Sequence, residues 1–329
     1  MASDTAERFK DSEGGVFIGY GNVLADVGAI VGSTYSVDPT LVHDNIRYPN
    51  YDKSGRFTNW QLLPEDTTKM FLNIPVQLAS PSKIGFLCMG GIQTNYPSNS
   101  YEKMKFRIFS SNSTLSDSTL SQGVEVTSEM QDLFIRNTGL DWLDNDFWFG
   151  YSKTLLRKRT VMSPYLFESS NLIRSLMIQI IVDIPEDSVL YQTNPGRVVD
   201  STYYLDLAFL FVGQSFFFEM NYGWKTVSAP IGNPSTATIG NSVRGNYRGE
   251  FKTVDIVLPD LSESQFMYKV VRNIIANKPT FQRFIVFPKP TAIQHFYDRA
   301  MLAVMNSSAD QTHEYYEGFS SSIQFRETM

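Results

Sequence analysis

The densest group of acids in the chain is Asp141, Asp144 and Asp146, interleaved with Trp142 and Trp148. Carboxylates beside aromatic rings suit two chemistries. One is cleavage of a glycosidic bond, where an apolar wall raises one acid so that it can protonate the leaving oxygen. The other is ligation of a hard cation such as Ca²⁺ by oxygen donors, although the calcium-loop spacing with its glycine is absent. A third reading is a turn capped by aspartates, and it is the favoured one.

Other motifs fail on the context their chemistry needs. Gly19-Tyr-Gly21 opens like a dinucleotide fingerprint, but Leu24 stands where the third glycine would let a helix approach, and no strand-helix-strand unit follows. Ser80-Pro-Ser-Lys83 has the spacing of a serine acyl-enzyme, yet Pro81 disfavours the helix that chemistry uses. Gly213-Gln-Ser215 runs on into Phe217 rather than glycine and reads as strand. His43, His295 and His313 are too far apart in sequence for a metal-ligand motif, and His295 with Asp298 is too few ligands. The single cysteine, Cys88, lies in an apolar run and reads as a buried, inert thiol. The chemistry-bearing residues therefore point to no catalytic site, no metal and no cofactor.

Binding is the better prospect. Aromatic faces stack on the apolar face of a pyranose, and Trp60, Tyr96 and Tyr101 sit in polar, turn-rich segments where such rings are displayed. The basic run Lys153, Arg157, Lys158 and Arg159 is short and reads as a solvated or subunit-facing strand edge. Across 329 residues, 34 acidic and 28 basic side chains give a net charge of −6, which argues against attachment to a phosphate backbone. With 42% apolar and 14% aromatic residues the chain is expected to be folded. The longest apolar candidate, residues 205–218, is broken by Asp206, Gly213 and Gln214, so no membrane span is expected. Residues 1–15 lack the apolar core of a signal peptide, which implies synthesis in a cytosol.

The elements that must position these residues read mainly as β. Residues 103–109 alternate strictly, with Met104, Phe106 and Ile108 on one face and Lys103, Lys105 and Arg107 on the other. Runs at 84–89, 175–183 and 205–212 are more fully apolar and read as buried strands. Ser128-Glu-Met-Gln131 has the capping-box pattern of a short helix stopped at Gly139. A second helix is expected over 262–277, where Phe266, Met267, Val270, Val271, Ile274 and Ile275 form one stripe. It is flanked by apolar strands at 251–258 and 282–287, while residues 229–249, rich in Gly, Asn, Ser and Pro, read as a linker or long loop.

Taken in order, these segments resemble a group of tailed-bacteriophage virion proteins. The resemblance rests on Arg56-Phe-Thr-Asn-Trp60, the strand and turn over 83–95, the basic strand at 103–109, and the strands at 174–183 and 205–213. Its most specific piece is Asn221-Tyr-Gly-Trp224, followed by the strand-helix-strand run from 248 to 290. The resemblance implies a mainly β protein: a discoidin-like β-sandwich of jelly-roll type over 36–220, then a small α+β assembly module over 221–329. Residues 1–35, with Gly14, Gly15, Gly19, Gly21, Gly28 and Gly32, read as an extended arm that orders against a neighbour. It further implies a non-enzymatic structural subunit of the virion, at the tail or its fibre-attachment region, made in the bacterial cytoplasm, with other tail proteins and further copies of itself as partners. Host surface glycan is the alternative ligand and glycan hydrolysis at Asp141, Asp144 or Asp146 the second alternative. Where that group has a tight Gly-His-Asn turn this chain has Gly90-Gly-Ile-Gln93, so a ligand contact by that histidine does not carry over.

Overall fold

The computed structural model describes residues 15–26, 30–31, 43–47, 49, 54–58, 60–96, 103–115, 119–127, 129–134, 162–186, 203–218, 223–230, 236–237, 243–244, 250–275, 282–288, 300–305, 310–315 and 318–328. In chain order the first strands are β1 (Val16–Tyr20), β2 (Ile30–Val31), β3 (Gly55–Phe57), β4 (Gln61–Leu63), β5 (Asp66–Gly90) and β6 (Gln93–Thr94). They are followed by β7 (Lys105–Ser111), β8 (Val124–Glu125), β9 (Gln131–Asp132), β10 (Met162–Asp183), β11 (Leu205–Leu207) and β12 (Phe209–Phe218). The remainder are β13 (Gly223–Pro230), β14 (Thr236–Ala237), β15 (Val243–Arg244), β16 (Glu250–Leu261), β17 (Phe284–Phe287), β18 (Met301–Met305), β19 (Asp310–Tyr315) and β20 (Gly318–Glu327). A one-turn helix, α1 (Val23–Asp26), follows β1, and a longer one, α2, starts at Glu263–Gln265 and continues through Phe266–Ile275. No helix among the described residues is long and apolar enough to cross a membrane.

The protein is mainly β, built on one large antiparallel sheet whose main path runs β13-β16-β20-β18-β17-β1-β12-β5-β10-β7-β8. Its spine is the pairing of the two longest strands, β5 and β10, whose register runs from Met162↔Gly90 to Asp183↔Lys69. Alternation explains how that spine is used. Met70, Leu72, Ile74, Val76 and Leu78 of β5, with Leu176, Ile178, Ile180 and Val182 of β10 and Phe106 and Ile108 of β7, all enter the main core. Residues 86–90 of β5 pair with β10 on one side and β12 on the other. Between these halves Ala79, Ser80 and Pro81 are exposed, and the β10 register shifts between Leu166 and Asn171 and between Ile173 and Ser175. Strands that bend at such irregularities carry a sheet round the corner of a sandwich, and the main core fills the space between its two faces.

The far part of the sheet is buried on both faces. In β17, Ile285 and Phe287 join the main core while Phe284 and Val286 join a second core. Leu302 of β18 faces the main core, and Met301, Ala303 and Met305 face the second. The second core is closed by Val254, Ile256 and Leu258 of β16, Ile323 and Phe325 of β20, and Val270 and Ile274 of α2.

Several expectations need correction. Gln131 and Asp132 form strand β9 against β7, not the first turn of a helix. Gln131 is buried and its side-chain amide donates to the Glu129 carbonyl at 3.0 Å, so the apparent capping residue serves a strand edge. Within the stretch expected as an extended arm, residues 16–20 are instead a central strand: β1 pairs with β12 over Val16↔Phe218 to Tyr20↔Gln214 and with β17 over Phe17↔Phe287 to Gly19↔Ile285. The strands before and after position 220 thus share one hydrogen-bonded sheet. Helix α2 lies where expected, but its wider, π-type winding turns Met267 outward, 49% exposed, although an ordinary helix would carry it on the apolar stripe. Residues 135–161 and 187–202 lie outside the described residues, and with them Asp141, Asp144, Asp146 and the basic run from Lys153 to Arg159.

Candidate functional site

The segments that carry Trp60 and Tyr96 meet at a small three-stranded sheet, β3-β11-β6. Its register sets Asp206 opposite Arg56 on one side and Gln93 on the other. Arg56 meets Asp206 in a two-pronged ion pair, Nε to Oδ1 at 2.8 Å and Nη2 to Oδ2 at 2.7 Å. The carboxylate is almost fully buried, its side chain 8% exposed against 30% for Arg56. The guanidinium also stacks over the Tyr204 ring, Cζ lying 3.9 Å from the ring centre. Backbone and side-chain bonds fix that ring's segment: Thr94 Oγ1 donates to the Tyr204 carbonyl at 2.7 Å, and the Tyr204 amide donates to Asn95 Oδ1 at 2.8 Å.

Trp60 and Tyr96 belong to the main core rather than to a displayed surface. Trp60 is fully buried and Tyr96 is 5% exposed. Their rings meet edge to face at 5.1 Å, and Tyr96 stacks on Tyr203 at 4.5 Å. The Tyr96 hydroxyl donates to the Met70 sulfur at 3.6 Å, whereas the buried Trp60 indole N–H has no hydrogen-bond partner among the described residues. Both rings turn into the main core although their segments are polar and turn-rich in sequence. Tyr101 lies outside the described residues.

The turn after β5 is shaped by packing. Gly91 has φ +62°, which a side chain tolerates poorly, and a Cβ there would lie 2.4 Å from that of Ala208. A Cβ on Gly90 would meet the Phe209 ring at 2.1 Å. These contacts bring β6 beside β11 and so place Asn95 against Tyr204.

The remaining sequence candidates fall elsewhere. Ser80 and Lys83 are exposed strand residues of β5, and Ser215 lies in β12 beside Gly19. Gly19 takes no side chain because a Cβ would lie 2.6 Å from the Phe86 ring, and Gly21 ends the strand at φ +65°. Cys88 is buried, and burial pushes its thiol well above the ordinary range. His43 is in a short 3₁₀ turn and His313 in β19. Among the described residues no group of three or more His, Cys, Asp or Glu side chains is placed to hold a metal ion. Gly223 and Trp224 open strand β13, while Asn221 and Tyr222 lie outside the described residues.

Sequence reasoning missed the pairing of Arg56 with Asp206, although a signal was present. An acid inside a strand as apolar as 205–212 requires a buried partner.

No family model matches the chain, and no curated protein matches it. Among solved structures, the chain is similar to the NMR solution structure of the N-terminal domain of the single-strand break repair protein XRCC1, at 10% identity, with 60% of this chain and 98% of that chain covered. The TM-score is 0.27, at which the likeness carries no argument about fold detail or function.

Proposed function

We propose that the protein is a non-enzymatic structural subunit of a tailed-phage virion, at the tail or its fibre-attachment region. In this reading the sandwich is discoidin-like and displayed, and the strands and helix after position 221 form an α+β module that docks on other tail proteins or on further copies. The observation that carries it is the order of segments along the sequence, from Arg56-Phe-Thr-Asn-Trp60 to Asn221-Tyr-Gly-Trp224 and the strand-helix-strand run beyond. The sheet adds support in one respect: Gly223 and Trp224 begin β13, which stands at one end of its main path, where edges meet partners. Sugar stacking by Trp60 and Tyr96 is not part of the proposal, because both rings are buried. The test is sedimentation of lysed infected cells, followed by mass spectrometry of purified particles. The chain is expected in the particle fraction at a fixed stoichiometry, and its confinement to the soluble fraction would refute the reading.

A further inference from the structure

Among the described residues, strand β1 joins the two halves of the main sheet path, since β12 and β17 are linked through it. Both its edges are paired and both its faces are buried, with Phe17 in the main core and Val16 and Ile18 in the second. Phe17 alone lies among three rings, 4.7 Å from Phe86, 4.9 Å from Phe217 and 5.5 Å from Phe287. The slot that receives β1 is therefore specific in register, in apolar shape and in backbone hydrogen bonds. It is assembled from parts of the chain far from β1 in sequence, so a copy whose β1 is not yet seated presents two open strand edges.

The joint between β1 and the body of the protein is a single residue. Gly21 has φ +65°, and no described residue beyond its chain neighbours lies within 4 Å of where its Cβ would be. Asn22, next to it, is pinned: its Oδ1 accepts from the Leu24 amide at 3.3 Å and the Val212 amide at 3.1 Å, and its Nδ2 donates to the Arg47 carbonyl at 3.3 Å. We infer that β1 is an exchangeable strand: Val16–Tyr20 of one copy seats in the slot between β12 and β17 of a second copy, with Gly21 as the hinge. A second copy is the occupant because its strand reproduces every contact of the slot, whereas an unrelated peptide would have to match Phe17, Gly19 and the register together. The inference deepens the assembly reading by supplying a contact between copies. Exchange in a chain that never enters particles would refute that reading and leave the exchange standing.

The test uses the full chain in a Cys88→Ala background. Ile18 and Val286 are register partners, so Ile18→Cys and Val286→Cys chains are mixed, unfolded, refolded together at high concentration and oxidised. Interchain disulfides are read by mass spectrometry. Exchange yields Ile18→Cys chains joined to Val286→Cys chains. Adding Gly21→Val is expected to raise that fraction several-fold, because valine disfavours the positive φ of the closed turn and accepts the extended hinge. A chain with Val124→Cys, an exposed position, replaces Val286→Cys as the control for collision. A chain carrying both Ile18→Cys and Val286→Cys, the double variant, is oxidised alongside, and the inference is overturned if it links only within its own chain while the mixture stays unlinked with and without Gly21→Val. It is equally overturned if the double variant fails to link, or if the Val124→Cys control links as readily.

Discussion

Arg56 and Asp206 are cross-strand neighbours, so their ion pair follows from the register of β3 on β11. Removing the guanidinium leaves a carboxylate with 8% of its side chain exposed and without its ion-pair partner. Arg56→Ala is accordingly expected to cost about 1–3 kcal/mol in urea unfolding, and the double variant with Asp206→Ala to recover part of the loss. A cost within about 0.5 kcal/mol of zero would show that the pair is not formed. Ser321 presents the reverse case, since its hydroxyl is buried without a partner among the described residues, in a strand whose Ile323 and Phe325 belong to the second core. Ser321→Ala should be neutral or stabilising by up to about 1 kcal/mol, and a loss beyond about 1 kcal/mol would mean that the hydroxyl is satisfied. At the turn into β5, Asp66 accepts from Lys69 and Thr68, which lowers its carboxyl from 3.8 to about 2. A group depressed on folding contributes stability above its unfolded pKa and loses it as pH falls through the folded value. The stability difference between wild type and Asp66→Asn should thus be flat above about pH 5 and shrink toward pH 2. A difference that does not vary with pH would exclude the ion pair. The residue scale was the hardest to read in the sequence. Trp60 and Tyr96 look displayed because their neighbours are polar, yet neighbour polarity says nothing about which way a ring points.

Elements were more legible where periodicity was strong. Residues 103–109 alternate in the structure as in the sequence, with Met104, Phe106 and Ile108 buried and Lys103 and Lys105 exposed. Val254, Ile256 and Leu258 likewise face the second core. The capping-box pattern at Ser128 misled because a Ser-x-x-Gln spacing reports local hydrogen-bonding capacity, and pairing of Gln131 with Phe106 overrode it. Strand β1 was hidden by its glycines, which suggest a flexible arm when their neighbours in space are unknown. Gly213 shows the same dependence on distant partners. A Cβ there would lie 2.4 Å from the Tyr20 carbonyl oxygen and 2.7 Å from that of Gly21, both backbone atoms that cannot swing away. Gly213→Ala is expected to lose about 1–3 kcal/mol in thermal or denaturant unfolding, and an unchanged midpoint would contradict the close packing of β12 on the β1 turn.

At the scale of the whole molecule, one sheet serves the two larger cores, and β1 ties them together. Mainly β character was legible from strand patterns. The sharing of a single sheet across position 220 was not, because it depends on a strand from residues 16–20 inserting between partners from far along the chain. Cys88 reports on the integrity of that arrangement. Its buried, raised thiol should resist alkylation in native buffer and react in step with global unfolding as urea is added. Rapid labelling in native buffer would mean that the main core opens locally. The assembly reading is tested most directly by cryo-EM of purified phage particles. The account predicts symmetric copies on the tail into which the β5–β10 spine and both cores fit as one body. A purified chain that remains strictly monomeric, with no corresponding density on any particle, would contradict it.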